Sequence, residues 1–176
     1  MKKKIIAMLC AGMCVVGMTA CGEEESGSKN GYSTPEKAFE AFSEAMIEWD
    51  ADKMLTLIPE EYIKRVMEIE DYDTNDELRN QMQRVIENTW ECGKGNGRII
   101  LEKVEYKDKE YVEYAGDTME WNEERLGMKI EYEDYCNVYC DEEGIDYWVI
   151  GGDDSYIGFY KHDGKWYSCD ALDYAL

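Results

Sequence analysis

The stretch STPEKAFEAFSEAMIEWDADKMLTLIP, residues 33–59, decides the first half of the fold. Ser33 followed by Glu36 is a capping-box pattern, and Pro35 suits the first turn of a helix. Apolar side chains then recur at helical spacing, at Phe39, Phe42, Ala45, Met46 and Trp49. The segment therefore predicts an amphipathic helix with one face on a core.

Three more helices are predicted before residue 90. One covers about 51–58, and another follows Pro59 with apolar residues at Tyr62, Ile63, Val66 and Met67. Thr74 with Glu77 repeats the capping box ahead of a longer helix, with a buried face at Leu78, Met82, Val85, Ile86 and Thr89. The glycine-rich stretch 93–97 (GKGNG) ends that helix. It leads from helix to strand and lacks Walker spacing, so it is not a phosphate loop.

The second half has strand composition, rich in Tyr, Val, Ile and Trp with turn dipeptides. The predicted strands cover 98–107, 128–141, 146–150, 155–161 and 165–169, and a short helix covers 117–126. The last two strands are joined by a tight turn at His162, Asp163 and Gly164. Helices followed by an antiparallel sheet make an α+β fold, which we expect as one domain over residues 33–176.

The first 20 residues have the layout of an export signal: three lysines, an apolar stretch, and a small pair before Cys21. The apolar stretch is about 14 residues, shorter than the roughly 20 that a membrane-spanning helix needs. Residues 18–21 (MTAC) resemble the lipobox of bacterial lipoproteins, which implies cleavage before Cys21 and acylation (diacylglycerol, palmitate) of its thiol. An ordinary signal that releases a secreted protein is the alternative. The polar segment 22–32 is typical of a flexible acidic tether after the lipid anchor.

The chain carries 19 basic and 40 acidic residues, a net charge of −21. Loss of the signal removes three lysines and makes the charge −24. Such a field repels nucleic acid and anionic headgroups, so nucleic-acid binding is not expected. No calcium-loop spacing is present.

Four cysteines remain beside Cys21, at Cys92, Cys136, Cys140 and Cys169. Outside the cytoplasm they predict two disulfides, with free thiols in an anaerobic organism as the alternative. Cys136 and Cys140 on one strand would lie about 13 Å apart, beyond the ~7 Å limit for a bridge. Each would then pair with Cys92 or Cys169, in an order left open. No close ligand pair indicates zinc, and no metal or cofactor is expected.

Residues 34–59 and the ending 162–167 (HDGKWY) resemble the start and the closing hairpin of the superfamily of nuclear transport factor two and SnoaL-like proteins. The resemblance covers about a third of the chain. Many small exported lipoproteins of Gram-positive bacteria look like this. It implies a curved sheet wrapped around a long helix, a conical cavity, and dimerisation through the sheet in many members. It also implies acid–base chemistry, often by an Asp/His pair, in the enzymatic members.

The one histidine, His162, is predicted to be a solvated turn residue, and no catalytic motif is present. Asp134 interrupts an apolar alternation from Met128 to Cys140, which suggests a carboxylate facing a pocket. A β-bulge that turns Asp134 outward, or a sheet end beyond the core, is the favoured alternative. Aromatic walls for that pocket would come from Tyr132, Tyr147, Trp148 and Trp166.

These observations favour a lipoprotein on the outer face of the cell membrane that binds a small molecule or envelope protein without catalysis. A small-molecule enzyme with Asp134 as general base is the second hypothesis. A self-associating protein, forming a homodimer, is the third.

Overall fold

A computed structural model describes residues 30–90, 92–108, 117–143 and 156–176. The signal segment, Cys21, most of the tether and the predicted strand 146–150 lie outside these ranges. Within them the chain is α+β, as predicted, and no described helix is long and apolar enough to cross a membrane. The elements in chain order are α1 (Pro35–Glu48), α2 (Ala51–Leu55), α3 (Glu60–Ile69), α4 (Asn75–Thr89), β1 (Arg98–Lys107), α5 (Asp117–Leu126), β2 (Asp134–Glu143), β3 (Tyr156–His162), β4 (Lys165–Ser168) and α6 (Cys169–Asp173).

Helix α1 begins one residue later than its capping pattern predicts. Thr34, not Ser33, is the N-cap, and its side chain accepts a hydrogen bond from the Lys37 amide at 3.3 Å. Because Pro35 has no amide hydrogen, it costs nothing in the first turn. The predicted apolar face is confirmed, since Phe39, Phe42, Ala45 and Met46 are buried.

Helix α4 begins as its sequence predicts, with a complete capping box. The Thr74 hydroxyl accepts from the Glu77 amide, and the Glu77 carboxylate accepts from the Thr74 amide, at 3.3 Å each. Leu78, Met82 and Ile86 are fully buried on its inner face. The predicted turn after β3 is also confirmed, with Asp163 and Gly164 both at positive φ as a type I′ hairpin requires.

The described part of the sheet has four antiparallel strands in the order β1-β2-β3-β4. Beside β4, Tyr32 forms an isolated bridge with Trp166, through hydrogen bonds of 2.8 and 3.0 Å between their backbones. Helix α1 contacts all four strands, and α6 contacts β3 and β4. The N-terminal segment and α1 therefore tie the helical half to the sheet.

Two predictions for the second half of the chain are wrong. Residues 128–133 are not strand, and β2 begins only at Asp134. After four residues of β4 the chain turns into α6, with Ser168 as its N-cap accepting from the Ala171 amide. The backbone of Cys169 then accepts from the buried Asn122 amide of α5 at 3.0 Å, which fixes the two helices to each other.

Candidate ligand-binding cleft

The cleft that we consider the candidate site lies among α2, α3, α4 and the turn that joins α1 to α2. It has two compartments that share Asp52 and Arg79. The first, called the polar compartment, has a volume of about 590 Å³ and is lined by Glu48, Trp49, Asp50, Ala51, Asp52, Arg79, Asn80, Gln83 and Lys94. Its walls combine one indole ring with carboxylate, amide, guanidinium and ammonium groups.

The second compartment, called the apolar compartment, has a volume of about 400 Å³. Its apolar wall is made by Leu55 of α2, Ile63 and Met67 of α3, and Leu78 of α4. Leu78 is fully buried, and the other three are half-buried. The rim is polar, and it includes Asn30, Thr56 and Lys64. This half of the cleft can take an apolar group.

An ion-pair cluster separates the two compartments. The Arg79 guanidinium lies 3.0 Å from Asp76 on its own helix and 3.6 Å from Asp52 of α2. The Arg79 side chain is 42% exposed and that of Asp52 is 72% exposed. Solvated pairs of this kind contribute little to stability, so Arg79 remains available to a ligand at low cost.

Trp49 ends α1 in a conformation that a bulky residue rarely adopts. Its φ is +53°, and its amide and that of Asp50 satisfy the last carbonyls of the helix, Ala45 and Met46. Glycine is the usual residue at such a position, because a side chain there costs about 1–2 kcal/mol. The Trp49 indole packs partly against the core, and its buried Nε1 has no acceptor among the described residues.

The other walls of the polar compartment are held by local structure. Asp50 is the N-cap of α2, and its carboxylate accepts from the Lys53 amide at 2.9 Å. The glycine-rich loop is fixed against α1 by the Gly95 amide, which donates to the Ile47 carbonyl at 2.8 Å. A second bond, from the Trp90 indole to the Asn96 carbonyl at 3.0 Å, holds the loop from α4. Lys94 is thereby placed at the edge of the cleft.

The structure describes three of the five pocket residues predicted from the sequence, Tyr132, Asp134 and Trp166. Asp134 is exposed at the first position of β2, opposite Lys161, which agrees with the alternative of a sheet end and not with a carboxylate that faces the core. Tyr132 is half-buried with its ring against Tyr135, whereas Trp166 is buried with its ring 5.8 Å from that of Tyr106. Tyr147, Trp148 and the lipid-attachment residue Cys21 lie outside the described residues.

His162 is not the solvated turn residue that was predicted. It is the last residue of β3, its side chain is only 15% exposed, and its ring lies between Tyr62 and Tyr167. Its Nδ1 lies 2.9 Å from the Glu131 carbonyl, and its Nε2 lies 3.2 Å from the Glu61 carboxylate. The imidazole therefore fastens α3 and the segment before β2 to the sheet.

The four described cysteines form no disulfide with one another in the structure. Cys136, Cys140 and Cys169 are buried, and Cys92 is half-buried. Burial raises the pKa of the Cys136 thiol to about 12, with Glu36 and Asp134 adding to the shift. Burial likewise raises the pKa of Cys169. These two thiols are poor nucleophiles at neutral pH, because the thiolate is the reactive form.

The residues that line the polar compartment were only partly signalled by the sequence. The acidic turn at residues 49–52 stood out as part of a family resemblance, and the glycine-rich loop stood out as a helix end. Nothing in the sequence marked Arg79, Asn80 and Gln83 as neighbours of that turn, because they meet it only when α4 packs beside α2.

No group of three or more metal-ligating side chains occurs in the described ranges. No known protein family, curated protein or solved structure matches the chain.

Proposed function

We propose that the protein is a lipid-anchored binding protein on the outer face of the cell membrane, and that it holds a small-molecule ligand in the helical cleft without transforming it. The observation that carries this proposal is the pair of adjoining compartments around Asp52 and Arg79. Their volumes, about 590 and 400 Å³, lie within the range of roughly 300–1,000 Å³ typical of small-molecule sites.

The chemistry of the cleft supports a binding role. An apolar wall on one side and polar groups on the other suit a ligand with one apolar and one polar part. The side chains of Asp52 and Arg79 are both solvated, so a ligand that rearranges this ion pair costs the protein little stability.

The anchor rests on the sequence of the first 32 residues. A basic start, an apolar stretch too short to span a bilayer, and the MTAC segment support export and acylation at Cys21. The acidic segment that follows would hold the domain away from the lipid surface. The large negative charge of the domain acts in the same direction, because it repels anionic headgroups.

We propose further that the sheet is curved in the manner of the cone-like superfamily. Strands β1 and β4 are the first and last of the four described strands, and in a flat sheet they would lie about 14 Å apart. The rings of Tyr106 on β1 and Trp166 on β4 are nevertheless only 5.8 Å apart. This contact, on the side where α1 crosses all four strands, supports a bent sheet.

An enzyme built on Asp134 is not proposed, because the observation behind it was a carboxylate on a buried face. Asp134 is exposed and lies in register with Lys161. The chain also has a single histidine, and that side chain is already engaged by Glu61 and Glu131.

The test is native mass spectrometry of the full-length protein, extracted gently from its host membrane. We expect a co-purifying small molecule on the wild-type protein, its loss in Arg79→Leu, and its retention in Arg84→Leu, a matched change on the exposed side of α4. Wild-type protein that carries no small molecule, or a molecule retained equally by both variants, would overturn the proposal.

The anchor is tested separately on the same host. Cys21→Ala should move the protein from the membrane fraction to the soluble extracytoplasmic fraction or the unprocessed precursor. The denatured mass of the wild type should show residues 1–20 removed and acyl chains on Cys21. A wild-type mass without acyl chains would contradict the lipid anchor. It would not bear on ligand binding in the cleft.

A further inference from the structure

We propose that the polar compartment binds a neutral saccharide, with the indole of Trp49 against a sugar ring and Asn80, Gln83 and Arg79 on its hydroxyl groups. This inference rests on the proposed function, since it names the chemical class of the ligand in that cleft.

The hydrogen-bonding groups in the compartment match a polyhydroxylated ligand. Each sugar hydroxyl both donates and accepts, so it needs partners of both kinds. The amides of Asn80 and Gln83 supply both in one side chain, and the carboxylates and the two cationic groups supply further acceptors and donors. A phosphate is chiefly an acceptor and carries negative charge, so it would face the three carboxylates of the compartment with repulsion.

The charges of the compartment favour a neutral ligand. Three carboxylates and two cationic groups nearly cancel, in a chain with 40 acidic and 19 basic residues. Several of these charges already have partners on the protein. Asp50 caps α2, and Arg79 is paired with Asp52 and Asp76. Hydroxyl groups can add to these contacts without bringing another charge into the cleft, where an unpaired charge is costly.

Trp49 supplies what a sugar ring needs besides hydrogen bonds. The face of a pyranose is made of C–H groups, and a flat indole offers an apolar surface of matching shape. Trp49 is the one aromatic residue in the compartment, and it stands at a left-handed position that glycine would occupy without strain. A tryptophan at positive φ lowers stability, so its presence at an exposed cleft indicates a role beyond folding.

The test uses isothermal titration calorimetry of the full-length protein in mild detergent. The probes are neutral tri- to hexasaccharides of the gluco-, manno-, galacto-, xylo- and N-acetylglucosamine series, with free amino acids and inorganic phosphate alongside. We expect at least one saccharide series to bind and phosphate not to bind. Asn80→Ala and Gln83→Ala should each raise the dissociation constant roughly threefold to tenfold, the loss of one hydrogen bond. Trp49→Leu should raise it about tenfold or more.

Two matched controls lie on the same helix, α4. Asn88→Ala and Gln81→Ala remove the same groups from exposed positions outside the cleft, and they should leave the dissociation constant unchanged. Because Trp49 also packs against the core, the two amide variants decide the outcome if Trp49→Leu fails to fold.

The proposal is overturned if no saccharide binds at millimolar concentration, if only amino acids or phosphate bind, or if the amide variants and their controls behave alike. Suppose that no saccharide binds, but that a small molecule co-purifies with the wild type and is lost in Arg79→Leu. That result would contradict only the assignment of the ligand as a saccharide. The binding function of the cleft would then still stand.

Discussion

The carboxyl group of Asp170 connects the last helix, α6, to the sheet. Its Oδ2 accepts a hydrogen bond from the Gly158 amide at 3.0 Å, just beyond the last β3 residue that pairs with β4. Burial raises the pKa of this carboxyl to about 6, although the Gly158 amide acts in the opposite direction. The folded protein therefore binds a proton at this residue more tightly than the unfolded chain does.

The direction of the pH effect follows from that difference. Between about pH 4 and pH 6 the folded state holds the Asp170 proton and the unfolded state has lost it, so the free energy of unfolding falls as pH rises through this range. Asp170→Asn removes the titration and keeps an acceptor for Gly158. Relative to the wild type, we expect the variant to gain up to about 3 kcal/mol between pH 4 and pH 7. Urea unfolding at a series of pH values measures this gain.

The matched control is Asp73→Asn, at an exposed carboxyl ahead of α4. It makes the same change of net charge at the surface, and it should not reproduce the gain of Asp170→Asn. The other carboxyl groups titrate in both proteins and cancel in the comparison. An Asp170→Asn curve parallel to the wild-type curve would show that burial of Asp170 is not linked to folding.

Helix α4 carries one wall of the cleft, and its start depends on the capping box at Thr74 and Glu77. Thr74→Ala removes the hydroxyl that accepts from the Glu77 amide, and it should lower the free energy of unfolding by about 1 kcal/mol. Thr74→Ser keeps the hydroxyl and should cost much less. Chemical unfolding followed by circular dichroism measures both variants. Equal losses in the two would place the effect in the threonine methyl group instead of the cap.

The elements that the sequence predicted well are those with local signals. The capping box of α4 and the Asp163-Gly164 turn are set by residues within a few positions of each other, and both are confirmed. The start of β2 was missed because the alternation continues backward to Met128, where the backbone is irregular. Helix α6 was missed because its five residues directly follow a strand and are stabilised by distant partners, Asn122 and Gly158.

Sites made by distant segments were harder to predict than elements. His162 belongs to a turn sequence, yet Glu61 and Glu131, far away along the chain, hold it inside the structure. Asp134 looked buried because the residues two and four positions later face the core, but the sheet begins at that residue. The cleft itself arises only where α4 packs beside α2.

At the scale of the whole molecule, the dominant feature is a net charge of −21. Repulsion among the surface carboxylates opposes the compact state, because folding brings like charges closer together. Salt shortens the range of this repulsion, from a Debye length of about 30 Å at 0.01 M to about 3 Å at 1 M. We therefore expect the urea midpoint of unfolding to rise steadily as sodium chloride is increased across that range.

Calcium chloride at equal ionic strength separates general screening from a specific cation site. If screening alone acts, calcium should raise the midpoint along the same smooth curve as sodium. A rise that saturates at low calcium concentration would instead indicate stoichiometric binding by the acidic surface. A midpoint that falls with added sodium chloride would mean that attractive pairs, such as that of Glu105 with Lys103 and Lys107, outweigh the repulsion.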